Sequence, residues 1–118
     1  MSQGFRNLNC WQRAKTLAVA GYRFTNQGPL ARDFALRDQM RRAVISVCSN
    51  LAEGDARQTN KESIQFFFIA KGSLAELSAQ LDVAHEIHAL PSAEIGNLTI
   101  ECEEIAAMIR GLINHRQA

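Results

Sequence analysis

With 118 residues, 47% of them hydrophobic, and a formal net charge of +1, the chain has the size and apolar content of one ordinary domain around a single core, and a second domain is not expected. Near-neutrality excludes a uniformly basic surface. No apolar run approaches the roughly 18–20 residues that cross a bilayer, and the opening MSQGFRNLNCWQ lacks the apolar stretch of a secretory leader, so a cytoplasmic protein with no membrane role is expected.

Helical periodicity runs through the chain, and strand-like alternation of useful length does not occur. In the first segment Trp11, Ala14, Leu17, Ala18, Gly21 and Tyr22 recur at three- and four-residue steps until Gly28 and Pro29 halt the pattern, which predicts a helix over about residues 7–26. Beyond Pro29 a stripe of Leu36, Met40, Ala43, Val44, Val47 and Leu51 follows Asp33, a candidate cap, and precedes Gly54, a candidate helix stop; the second helix is expected over about residues 34–53. Thr59 and Glu62 have capping-box spacing and open a third helix. Its apolar line is Ile64, Phe67, Phe68, Leu74, Leu77, Leu81 and Ala84, and it runs over about residues 60–90 to Pro91, roughly 45 Å at 1.5 Å per residue. Ser92 can cap a fourth helix, over about residues 92–115, whose stripe is Ile95, Leu98, Cys102, Ile105, Ile109 and Leu112 or Ile113, followed by a short polar tail. Four amphipathic helices joined by short connections predict an all-α, antiparallel up-and-down four-helix bundle.

Several residues exceed the needs of one bundle. The third helix carries Phe66, Ile69, Ala70, Gly72, Ser73 and Ala79 outside its main stripe, a buried surface wider than one face. It meets either two neighbours in its own bundle or a second subunit. Gly72 inside a helix costs about 1 kcal/mol relative to alanine, a penalty most easily tolerated where another helix comes very close. On the second helix Arg42, Ser46, Asn50 and Glu53 are spaced to share one side. They read as a hydrogen-bonded seam fixing how this helix meets the third or another subunit, in preference to a catalytic or ligand-binding row, because no nucleophile or base stands beside them. Glu53 beside Gly54 and Arg57 is expected to tie down the turn. Cys10, Cys48 and Cys102 lack CxxC spacing and read as buried or half-buried free thiols.

The best material for an enzyme is Asp82, His85, Glu86 and His88 near the end of the third helix, with Glu101 and Glu104 on the fourth and His115 beyond. Dinuclear metal bundles use two Glu-x-x-His pairs with glutamates from two further helices. Asp82 and His85 are one weak analogue, and the first two helices offer no inward glutamate. Nucleotide-binding glycine loops are absent too, so a non-enzyme with no cofactor and no metal is expected.

The runs RRAVISVCSNLAE from Arg41 to Glu53, with Gly54 and Arg57 after it, and FFFIAKGSLAEL from Phe66 to Leu77 resemble the signature of bacterial four-helix-bundle proteins also called large-subunit rRNA intervening-sequence proteins. FRNLNCWQRAK, from Phe5 to Lys15, is similar to that family's opening. The resemblance implies a ring-shaped homopentamer, some members being encoded within insertions in ribosomal RNA genes. A related branch, the accessory variability protein of diversity-generating retroelements, is a basic pentameric barrel that binds nucleic acid and a reverse transcriptase. Cys48 and Asp55 depart from the family pattern.

Charge is unevenly divided: residues 1–61 hold ten Lys or Arg against four Asp or Glu, and residues 62–118 hold three against eight. This predicts either a basic face drawn from Arg6, Arg13, Lys15, Arg23, Arg32, Arg37, Arg41 and Arg57, or a pairing of basic helices with acidic ones. No aromatic residues are expected to interleave with these bases as in a stacking groove. The expected function is a self-assembling module binding nucleic acid, structured RNA or an RNA-containing complex, with a protein scaffold as the alternative. Arg42, Ser46, Asn50, Glu53, Gly72 and Glu76 are the assembly candidates. Arg6, Arg13, Lys15, Arg41 and Arg57 are the candidates, chosen by charge, for phosphate contact.

Overall fold

The computed structural model describes residues 4–117, and its four helices are α1 (Asn9–Thr25), α2 (Phe34–Asp55), α3 (Asn60–His88) and α4 (Ser92–Gln117). Short 3-10 turns at Gly4–Asn7 and Gly28–Arg32 precede α1 and α2, and no strand occurs among the described residues. Each helix packs antiparallel on its neighbour in the chain, and α1 returns to α4. Cross-helix contacts fix the register: Gly21 meets Val44, Ser46 meets Ser73, Arg116 meets Ser63, and Arg13 meets Glu101. The result is an antiparallel up-and-down bundle 44 Å long and 24 × 21 Å across, the length being that of α3 itself.

The apolar stripes meet along the axis. Val44, Val47, Leu51, Phe67, Leu74, Leu81, Ile105 and Ile109 are all but inaccessible, and burial on this scale supplies the main driving force for folding. Leu30, from the turn before α2, is also fully buried and plugs one end of the bundle. Tyr22 and Phe68 differ from expectation, since both are exposed.

Helix ends follow local chemistry with three corrections. Asp33 caps α2 by accepting from the Leu36 amide at 3.3 Å, and Thr59 caps α3 by accepting from the Glu62 amide at 3.2 Å. Gly54 does not stop α2, which continues to Asp55; it is instead the point where Phe67 presses against the α2 backbone. α3 ends at His88, short of Leu90, because Ala89 turns left-handed at φ 51°. That turn brings Leu90 into the core. Ser92 is not a cap, since the Pro91 carbonyl already accepts the Ile95 amide at 3.2 Å; the Ser92 hydroxyl pairs with His85 Nε2 at 3.2 Å.

Candidate functional site

The polar row of α2 divides when folded. Asn50 Nδ2 donates to the Ser46 carbonyl at 2.9 Å and to Ser46 Oγ at 3.0 Å, and Ser46 Oγ lies 2.8 Å from Ser73 Oγ on α3. The Ser73 hydroxyl donates to the Ile69 carbonyl at 3.2 Å. One proton assignment satisfies the whole chain, with Asn50 donating to Ser46, Ser46 to Ser73 and Ser73 to a backbone carbonyl. Arg42 and Glu76 border the same cleft, with Gln39 and Ser46, but both are exposed and neither joins an ion pair among the described residues. Glu53 turns away and pairs with Arg57 at i+4. Around Gly72 the chain is open: a Cβ there would meet nothing within 4 Å. No other helix of this bundle therefore approaches Gly72 closely.

Gly72 belongs to an exposed stripe on α3. Phe68, Gly72, Ala75, Ala79 and Val83 recur at three- and four-residue steps and all face outward, Phe68 at 52% and Val83 at 50% exposure. Exposed Glu76, Asp82 and Glu86 lie on the same helix. A second apolar groove, lined by Ala18, Val19, Tyr22, Arg23 and Ile45, runs between α1 and α2. Exposed Arg42 stands one turn of α2 from Ile45.

Five of the bases named as a cationic face lie against aromatic rings, contrary to the sequence expectation. Arg6 sits 4.6 Å from the Phe5 ring, Lys15 5.7 Å from Trp11, Arg37 4.7 Å from Phe34, Arg41 4.7 Å from Tyr22 and Arg57 4.5 Å from Phe66. The i to i+4 spacing of Trp11 and Lys15 carried that signal, whereas the meeting of Arg41 with Tyr22 requires two helices to pack. Arg13 is engaged differently. It is held by Glu101 at 2.9 Å and Glu104 at 2.7 Å across the α1–α4 boundary, so pairing of basic with acidic helices occurs at this position. Arg41 donates to Thr25 Oγ1 at 2.9 Å, while Arg6 and Lys15 have no carboxylate partner among the described residues.

Four of the side chains weighed as metal ligands are engaged elsewhere: Glu101 and Glu104 by Arg13, His85 by Ser92, and His88 by Asp33 at 2.9 Å. No group of three His, Cys, Asp or Glu suited to a metal forms among the described residues. Burial pushes all three thiols above the ordinary cysteine value, Cys102 to about 11, which keeps them protonated near neutrality. Sequence reasoning missed Arg116, placed in the polar tail. It donates to Ser63 Oγ at 3.1 Å, pairs with Asp55 at 3.2 Å and lies 5.1 Å from the Phe67 ring, joining the ends of three helices. No helix among the described residues is long and apolar enough to cross a membrane.

Fold and surface together define an all-α four-helix-bundle protein with an internal hydroxyl–amide seam, a cation-rich flank and an outward apolar helix face. Over residues 6–111 the sequence matches the family described as 23S rRNA-intervening sequence protein, and the chain belongs to that family. None of the curated proteins compared with it matches.

Proposed function

We propose that the protein is a non-enzymatic, self-assembling module that binds structured RNA through the flank formed by α1 and α2. The observation that carries this reading is the row of cations beside aromatic rings, Arg6, Lys15 and Arg41 among them, on the basic half of a chain whose acids are concentrated elsewhere. RNA recognition rests on the same combination of phosphate-directed charge and flat stacking surfaces. Self-assembly is supported by the two apolar faces. The α3 stripe has acids on its helix, and the α1–α2 groove has Arg23 and Arg42 beside it, so one copy's α3 complements the next copy's groove. Two different patches meeting head to tail generate a ring when the rotation closes, in keeping with the homopentamer implied by the family resemblance. A protein scaffold without nucleic acid is the second reading, favoured by the α3 stripe alone.

Fluorescence anisotropy of labelled structured RNA and duplex DNA at low and near-physiological salt tests the primary reading. Saturable binding that weakens steeply with salt, and weakens further in the Arg41→Gln, Arg57→Gln double variant, is expected. Absence of binding at low salt would leave the scaffold.

A further inference from the structure

Residues 1–32 contain Arg6, Arg13, Lys15, Arg23 and Arg32 and no aspartate or glutamate. Within this acid-free stretch, Arg6, Trp11, Gln12, Lys15 and Thr16 line a surface cleft of about 350 Å³. Among these lining residues is the chain's single tryptophan. Trp11 is half-buried against the core, and the Phe5 ring meets it edge-on at 4.8 Å and 64°, so the indole is held in place. Gln12 Nε2 donates to the Arg6 carbonyl at 2.7 Å, which pins the Gly4–Asn7 turn and the Arg6 side chain's origin to α1. The acids nearest in the fold to Arg13, Glu101 and Glu104, are taken up by that arginine. Two exposed cations with no ion-pair partner among the described residues thus flank a fixed aromatic surface.

This chemistry narrows the ligand. A cationic ligand is repelled by Arg6 and Lys15. An acidic peptide would use both charges and leave the indole idle. An unpaired nucleotide uses all three groups, because its base offers a π-face to the indole and its backbone offers phosphates to the cations. We infer that the Arg6–Trp11–Lys15 cleft binds one unpaired nucleotide of an RNA loop or single strand, the base stacking on Trp11 while Lys15 leaves the ring to meet a phosphate and Arg6 holds the adjoining one. The inference rests on the RNA-binding reading and assigns its point of contact.

The tryptophan is its own reporter. Full-length protein is titrated with unlabelled octauridylate while Trp11 emission is followed, and in parallel the anisotropy of labelled structured RNA registers binding anywhere on the protein. Saturable quenching is expected. An abasic octamer of equal charge should bind about tenfold more weakly and leave the emission unchanged, and Arg6→Gln and Lys15→Gln should each lower the salt slope by about one. Both are exposed positions, so these variants report the site even where Trp11→Ala disturbs the core. RNA binding by anisotropy with unaltered Trp11 emission, or equal affinity for the abasic octamer, overturns the cleft and leaves RNA binding standing. No binding of any RNA at low salt removes both.

Discussion

A methyl group added at Gly54 would lie 2.6 Å from Cε1 and 2.8 Å from Cδ1 of Phe67, and 3.1 Å from Cβ of Phe66. Phe67 is fully buried and cannot yield, so Gly54→Ala should destabilise the fold by about 1–3 kcal/mol despite the gain of about 1 kcal/mol in helix propensity. Gly72→Ala should do the reverse and stabilise the isolated bundle by about 0.5–1 kcal/mol, because its surroundings are open. Urea unfolding of the two variants checks both signs; two destabilised proteins would contradict the contrast. Neither sign was legible in the sequence, where Gly54 read as a helix stop and Gly72 as a point of close helix approach, because each is decided by what another helix brings near. At Asp33, the hydrogen bond from His88 and then that from the Leu36 amide hold the carboxyl below the ordinary carboxylate range. The stabilisation is therefore present above about pH 4 and is lost as pH falls through the lowered folded value. Asp33→Asn keeps a competent helix cap with no charge to lose, so its melting temperature should fall less than the wild type's between about pH 5 and pH 2.5. Parallel curves would show that the pair contributes nothing.

Between α2 and α3 the unit of structure is a relay, Asn50 to Ser46 to Ser73 to the Ile69 carbonyl. Partly buried hydroxyls that satisfy one another fix register, since sliding the helices would strand them. A double-mutant cycle of Ser46→Ala and Ser73→Ala should therefore give a coupling of about 0.5–1.5 kcal/mol in chemical denaturation. Additive losses would mean that the two hydroxyls act separately. Asn50→Leu should lower stability by about 1 kcal/mol while leaving helix content unchanged by circular dichroism. The row of Arg42, Ser46, Asn50 and Glu53 was legible as a row, because 3.6-residue periodicity puts these positions on one side. Its division was not. Ser46 meets Ser73 of α3 and is backed by Asn50, whereas Arg42 stays exposed at the border of that cleft and Glu53 pairs with Arg57 at i+4.

Across the whole molecule, the Arg13 bridge to Glu101 and Glu104 closes α1 on α4, and Arg116 ties α4 to the α2–α3 turn. Closure leaves the α3 stripe outward along a 44 Å prism, and the proposed self-assembly rests on it. Gly72→Leu should leave the monomer's helical spectrum intact, since the position is open within the chain, and should reduce the mass of the proposed assembly measured by size-exclusion chromatography with light scattering. An unchanged mass would show that no tight approach occurs at Gly72 in the assembly.

The sequence by itself determined the all-α class, the four helices, the caps at Asp33 and Thr59 and most of the core stripe, because these depend on local sterics and on periodicity carried by consecutive residues. It also carried enough ordered motif to resemble its family. Tertiary structure alone decided which cations remain without carboxylates, which polar residues of α2 meet Ser73, why Gly54 must lack a side chain while Gly72 stands open, and that Arg116 in the polar tail closes the bundle. Each of these outcomes depends on atoms brought together from helices distant in the chain, and the distances between helices are set by how the side chains of all four pack at once.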